Sequence, residues 1–137
     1  ILSYAGIKSL EIKEKITEVF STNEIIPSAG QGIIALQCRD NDNESISLLD
    51  RINDKETFLR AQAERNVLKV LEGDCETAVG AYAFIEKDIL TLEAELFSLD
   101  GTQRFYEKKS CKLKNVEELG NEVGTILKTK SNNTYKK

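Results

Sequence analysis

Histidine is absent from this 137-residue chain, and with it every mechanism that moves protons through imidazole, Ser–His–Asp triads included. A compact metal-ligand pair is missing too: Cys38, Cys75 and Cys111 stand far apart, so a tetrahedral zinc site would have to recruit scattered carboxylates. We therefore expect no metal. The same three cysteines are an odd number at wide spacings, which argues against a disulfide framework. No apolar run approaches the roughly 20 residues needed to cross a bilayer, and the first residues lack the basic start and cleavage site of a secretory signal. The expectation is a cytosolic protein with no membrane partner. Methionine is missing throughout, so the initiation site is expected upstream of Ile1, and residues 1–7 read like the middle of a strand. That suggests a fragment.

What is present is the composition of a folded domain. The apolar share is 40% and the charged share 31%, ordinary for a globular protein and unlike a disordered one. The length suits one domain, or one domain plus a piece of another. A net charge of -4 gives nucleic acid no overall attraction, so no nucleic-acid partner is expected.

Along the chain, Ile7, Leu10, Ile16, Val19 and Phe20 fall among Lys and Glu as short amphipathic helical pieces ending near residues 21–23. Pro27 stops any helix, and the small residues 28–32 lead into the apolar run 33–36, which reads as a loop feeding a buried strand. Ile46, Leu48, Leu49 and Ile52 form a short helical face within 45–52. Asn53-Asp54-Lys55-Glu56 matches a capping box that starts a long helix through Phe58, Leu59, Ala63, Val67, Leu68 and Leu71, with Arg60, Glu64 and Lys69 outside and Gly73 as its C-cap. Cys75 lies on the exit turn. Residues 77–85, 89–97 and 103–110 are three strand candidates joined by short turns, expected to form an antiparallel meander. Val116, Leu119, Val123, Ile126 and Leu127 mark a final helix, and 128–137 is expected to fray. The fold class is α+β: a small antiparallel three-stranded sheet covered by helices, beginning at about residue 53.

Two stretches resemble the porphobilinogen deaminases (hydroxymethylbilane synthases) closely. One is Ile26-Pro27-Ser28-Ala29-Gly30-Gln31-Gly32 leading to Leu36-Gln37-Cys38-Arg39. The other is Ala63-Glu64-Arg65 followed by Leu71-Glu72-Gly73-Asp74-Cys75-Glu76-Thr77-Ala78-Val79-Gly80-Ala81-Tyr82-Ala83. The opening ten residues look like the family's strand and turn just upstream. Such enzymes have three domains. The resemblance implies that 1–26 ends the second domain and that 27–52 is a hinge with a strand and helix returning to the first. Residues 53–137 would then be the C-terminal, cofactor-anchoring domain.

In this family the cofactor is a dipyrromethane held by a thioether to a cysteine of the third domain, and Cys75 matches that position. Gln31 matches a position that contacts the bound pyrroles, its flanking glycines allowing close backbone approach. Ser3 offers at most a backbone contact. The implied reaction joins four porphobilinogen units into hydroxymethylbilane with release of ammonia, in tetrapyrrole (haem) biosynthesis. The family's acid/base aspartate and substrate-binding arginines lie in the missing N-terminal domains, so no catalytic residue is expected here and the fragment alone should be inactive. The parent enzyme is expected to be a monomer. Asp74 and Glu76-Thr77-Ala78 depart from the family's usual Gly before the cysteine and Gln-Val-Pro after it, and the two added carboxylates repel an acidic cofactor.

Plainer readings compete at each position. A lone cytosolic cysteine in a turn is ordinarily an idle thiol, and only its flanks set Cys75 apart. Cys38 and Cys111, in strand-like contexts, read as small buried hydrophobes. Gly30-Gln31-Gly32 alone is a common turn lacking the third glycine of a dinucleotide fingerprint. Glu93 and Glu95 alternate with apolar residues as the outer face of a strand. The lysines at 108, 109, 112 and 114, interrupted by glutamates, read as a solvated edge. The alternative to an enzyme fragment is a non-enzymatic α+β protein-interaction module.

Overall fold

Residues 55–71 alternate apolar and polar positions at helical spacing, and the chain forms α3 there (Lys55–Leu71). The structure, a computed structural model, describes residues 1–73 and 77–137. Before α3 lie α1 (Tyr4–Ser9), a single 3₁₀ turn (Lys13–Lys15) and α2 (Asn43–Asp50). After it come β1 (Val79–Glu86), β2 (Ile89–Phe97), β3 (Arg104–Lys112) and α4 (Val116–Ser131). The strands pair in chain order, β1-β2-β3, all antiparallel. Helix, meander and helix therefore follow the expected α+β order.

One face of the sheet meets both long helices. Ala81 and Ala83 of β1 and Leu90, Leu92, Ala94 and Leu96 of β2 point to that face. They pack with Ala63, Val67 and Leu71 of α3 and with Val116, Leu119, Val123 and Leu127 of α4. Each buried leucine contributes about 1.5–3 kcal/mol. The helices approach closely through glycines: a Cβ at Gly120 would lie 2.5 Å from the Ala63 carbonyl oxygen, and one at Gly124 would lie 2.8 Å from Val70 Cβ. Ridge-into-groove packing this tight needs the missing side chains.

Several expectations change. Residues 1–7 are not a strand: 1–3 are irregular and 4–7 belong to α1, closed by local bonds such as Leu10 N–H to Gly6 C=O at 3.0 Å. The apolar run 33–36 is also not a strand. It has no pairing neighbour among the described residues, and Ile34 and Leu36 are exposed. A strand without a partner leaves its backbone groups to water, so apolar content alone does not make one. Helical structure in 7–23 is limited to α1 and the 3₁₀ turn, and Val19 and Phe20 are exposed.

The cap of α3 sits one residue later than read. Asp54, not Asn53, accepts the Thr57 N–H, at 2.7 Å. At the other end Glu72, not Gly73, takes the left-handed conformation, with φ 54°. Gly73 instead donates its N–H to the Leu68 carbonyl at 3.2 Å. The tail is not frayed: α4 continues to Ser131, and Tyr135 is buried with its hydroxyl donating to the Leu71 carbonyl at 2.9 Å.

The first 52 residues contribute little to this core. Ile26 is their one buried hydrophobic residue, while Ile1, Leu2, Leu10, Ile34, Leu48 and Ile52 are exposed.

Candidate functional site

The segment that carries Gln31 lies along the outer edge of β1. The Ala81 N–H donates to the Pro27 carbonyl at 2.9 Å. Gly80 lets the segment come this near, since a Cβ there would lie 2.7 Å from the Ile26 carbonyl oxygen. Pro27 has no amide hydrogen to offer, but its carbonyl serves as the acceptor.

Two turns then shape the loop. Gln31 N–H bonds to Ser28 C=O at 3.0 Å and Ile33 N–H to Gly30 C=O at 3.1 Å. Gly30 and Gly32 have φ of 74° and 77°, a region glycine enters without Cβ strain. A Cβ at either would meet no heavy atom within 4 Å, so the space beside the loop is open. Gln31 is exposed there and lines a shallow apolar depression with Ser3, Tyr4, Phe20 and Ile25. Gln31 and Ser3 thus share one surface, while Cys75, the other residue that the resemblance ties to the cofactor, lies outside the described residues.

Glu64 holds this loop in place. Its side chain leaves the middle of α3 and is only 4% exposed. One carboxylate oxygen, Oε2, accepts the Gly30 N–H at 2.7 Å, and Oε1 accepts the Ala83 N–H at 2.8 Å. Burial pushes the carboxyl above its usual 4.5, while those two amides and the nearby Arg60 charge pull it partly back. The helical pattern puts Glu64 on the outer side of α3 with Arg60 and Lys69, but the structure buries it, because both carboxylate oxygens are taken up by backbone amides of the loop and of β1. Nothing local marked its burial, because the amides it accepts from lie 34 and 19 residues away in sequence.

Cys75 lies outside the described residues, as do Asp74 and Glu76, on the connection between α3 and β1. The helix delivers the chain to Glu72 and Gly73, and Thr77 resumes it. Among the other cysteines, Cys111 is half-buried on β3, where burial first and Glu118 second push its thiol above the usual value. That suits a small hydrophobe. Cys38 is half-buried too, but on an irregular segment rather than a strand.

Several other charged groups are paired. Glu93 accepts from Lys108 at 2.7 Å and from the Tyr106 hydroxyl at 2.9 Å, and Glu95 pairs with Arg104 at 2.8 Å. Lys109 pairs with Glu122 and Lys130 with Glu107. No cluster of three metal-ligating side chains occurs among the described residues. No helix there is long and apolar enough to cross a membrane.

With this arrangement established, likeness to known proteins becomes specific. Residues 58–129 match the family model for the porphobilinogen deaminase C-terminal domain, and residues 1–47 match that for the porphobilinogen deaminase dipyrromethane cofactor-binding domain. The chain belongs to the porphobilinogen deaminase family. Porphobilinogen deaminase of Syntrophomonas wolfei is 34% identical over 93% of the chain and 42% of its own length. That of Chloroherpeton thalassium is 36% identical over 90% of the chain and 40% of its own length. The Exiguobacterium sibiricum enzyme is 40% identical over 93% and 41%. The chain thus spans about two fifths of the length of these curated relatives.

The residues present suit the family's cofactor. A dipyrromethane is a flat, flexible pair of rings with N–H donors. An open glycine loop bearing an exposed Gln31 amide can accept from such a donor at close backbone range.

Proposed function

We propose that the chain is the C-terminal part of a porphobilinogen deaminase, the transferase that joins four porphobilinogen units into hydroxymethylbilane with release of ammonia. In this reading Cys75 anchors the cofactor through its sulfur and Gln31 contacts the pyrroles. When bound, the dipyrromethane supplies the growing end to which porphobilinogen is added.

The observation that carries the reading is a link between two sites. α3 holds the Gln31 loop through Glu64 and, at its C-terminal end, leads directly to the connection that bears Cys75. A soft cysteine sulfur captures an electrophilic pyrrole methylene, and the thioether outlasts repeated reaction at the far end. A connection leaving a helix end gives that sulfur reach into a cleft.

The division into 1–26, 27–52 and 53–137 belongs to the same proposal. It is supported by the core, which draws its buried side chains from Ala63 onward apart from Ile26. The exposed apolar side chains of the first 52 residues are then surfaces for the N-terminal domains. The parent enzyme is placed in the cytoplasm and read as a monomer. Its acid/base aspartate and its arginines for the acidic substrate side chains are assigned to those N-terminal domains.

The test is the intact mass of the full-length protein. We expect an excess of two linked pyrrole units over the sequence mass, lost in Cys75→Ser and kept in Cys38→Ser. An unmodified full-length protein overturns the anchor. The chain alone is expected to give no hydroxymethylbilane from porphobilinogen, and formation of that product would overturn the assignment of catalysis to the N-terminal domains.

A further inference from the structure

Glu64 is a buried carboxylate that the proposed chemistry leaves unused. It sits on the α3 face turned toward the sheet, where a charged group is costly to desolvate, yet no lysine or arginine among the described residues forms an ion pair with it. It accepts from two backbone amides, Gly30 of the glycine loop and Ala83 of β1, and these lie 53 residues apart in sequence. One carboxylate thus ties three elements together: helix, sheet edge and loop.

The consequence is geometric. Residue 64 and the last residue of α3, Leu71, are seven positions apart, a rise of about 10 Å along a helix. A helix is stiff over that length, so the loop fastened at Glu64 keeps a fixed offset from the point where the chain leaves for Cys75. We propose that Glu64 is a positioning residue that sets where the Gln31 amide stands relative to the C-terminal end of α3, the end from which the chain runs on to Cys75. The inference rests on the functional reading above, in that it takes Gln31 and Cys75 as the two ends of the cofactor site.

Other anchoring of the loop is sparse. The Ala81–Pro27 bond ends three residues before Gly30, and the loop's own two turns leave Gln31 exposed. A carboxylate is the group that serves here, because it accepts two amides at once on two oxygens. An amide side chain has one oxygen and would set its NH₂ against the second N–H.

The experiment compares the chain with its Glu64→Gln variant by amide hydrogen exchange. Gly30 and Gln31 are expected to exchange about tenfold faster in the variant, while the β2 amides paired to β3 keep their rates. Unchanged rates at Gly30 and Gln31 overturn the clamp. Should the variant fail to fold, the unaltered chain still decides. The Gly30 and Ala83 amide resonances are expected to follow a single carboxyl titration with its midpoint above 4.5, and independent behaviour overturns the proposal.

In the full-length protein carrying the two-pyrrole mass, the Gln31 side-chain amide signals are expected to differ from those of the unloaded protein. In Glu64→Gln the mass stays but that difference is lost, a change that a purely structural role would not produce. If the mass is absent from the unaltered full-length protein, the functional reading fails, whatever the exchange shows. If the mass is present and Glu64→Gln leaves the Gln31 signals as they were, the positioning role alone fails.

Discussion

The hydroxyl of Tyr135 donates to the main-chain carbonyl of Leu71 at 2.9 Å, joining the last residues of the chain to the end of α3. Tyr135 is 1% exposed. Its neighbour Thr134 accepts the Leu99 N–H at 2.9 Å, so the tail also closes the β2–β3 turn. The helix end that leads to Cys75 is therefore braced from behind.

Removing only the hydroxyl, in Tyr135→Phe, is expected to cost about 1 kcal/mol, because a buried carbonyl loses its donor while the ring still packs. Tyr135→Ala should cost about 3–5 kcal/mol, as for other buried aromatics. Urea midpoints of the two variants check the ranking. Equal stability of Tyr135→Ala and the unaltered chain would show the tail to be loose.

Gly120→Ala is expected to destabilise the protein even though alanine favours helices by about 0.5–1 kcal/mol over glycine. The new methyl meets the Ala63 carbonyl and Asn66 Cβ at 2.5 and 2.7 Å, and backbone cannot step aside as a side chain can. Overpacking of this kind costs about 1–3 kcal/mol. Gly124→Ala, whose nearest obstacle is the Val70 side chain, should cost less. Thermal unfolding of the pair gives the order.

The capping carboxylate of Asp54 predicts a pH dependence. The Thr57 backbone amide is the main cause holding its carboxyl below the usual 3.8. A lowered folded value means that the cap's contribution is present above 3.8 and is lost as pH falls through the lower folded value. Asp54→Asn keeps a good cap without the charge. It is expected to match the unaltered chain near neutrality and to lose less α3 helicity in acid, as read by circular dichroism. A larger acid loss in the variant would contradict this.

Gly80→Ala should lift the 26–30 segment from the sheet, since the added methyl meets the Ile26 carbonyl at 2.7 Å. Faster exchange at Ala81, whose N–H points to Pro27, is the expected sign, with β2–β3 amides unaffected. Unchanged protection at Ala81 would mean that the segment adapts.

The elements that the sequence made legible are those whose burial is local and periodic. Leu90, Leu92, Ala94 and Leu96 alternate cleanly, and Val116, Leu119, Val123 and Leu127 repeat at helical spacing, so β2 and α4 could be read directly. Residues 33–36 were misread because apolar content says nothing about whether a strand finds a neighbour. The cap shifted from Asn53 to Asp54 because both side chains can accept an amide and only the backbone path chooses between them. Tyr135 and Glu64 gave no local signal, since each acts through a backbone group far away in sequence: Leu71 for one, Gly30 and Ala83 for the other. The Gln31 loop was legible as a family motif, but its attachment to α3 was not.

The outer edge of β1 has one more consequence, for how the chain behaves among copies of itself. Ala81 and Ala83 are the successive amides that face away from β2, and both are occupied, by the Pro27 carbonyl and the Glu64 carboxylate. An open edge strand is a template for a second molecule to add to, in aggregation or domain swapping. Here a proline-bearing segment and a buried acid close that edge. On the opposite edge, β3 carries Lys108, Lys109 and Lys112, charges that resist stacking. The contacts that seat the glycine loop thus also keep the sheet from growing.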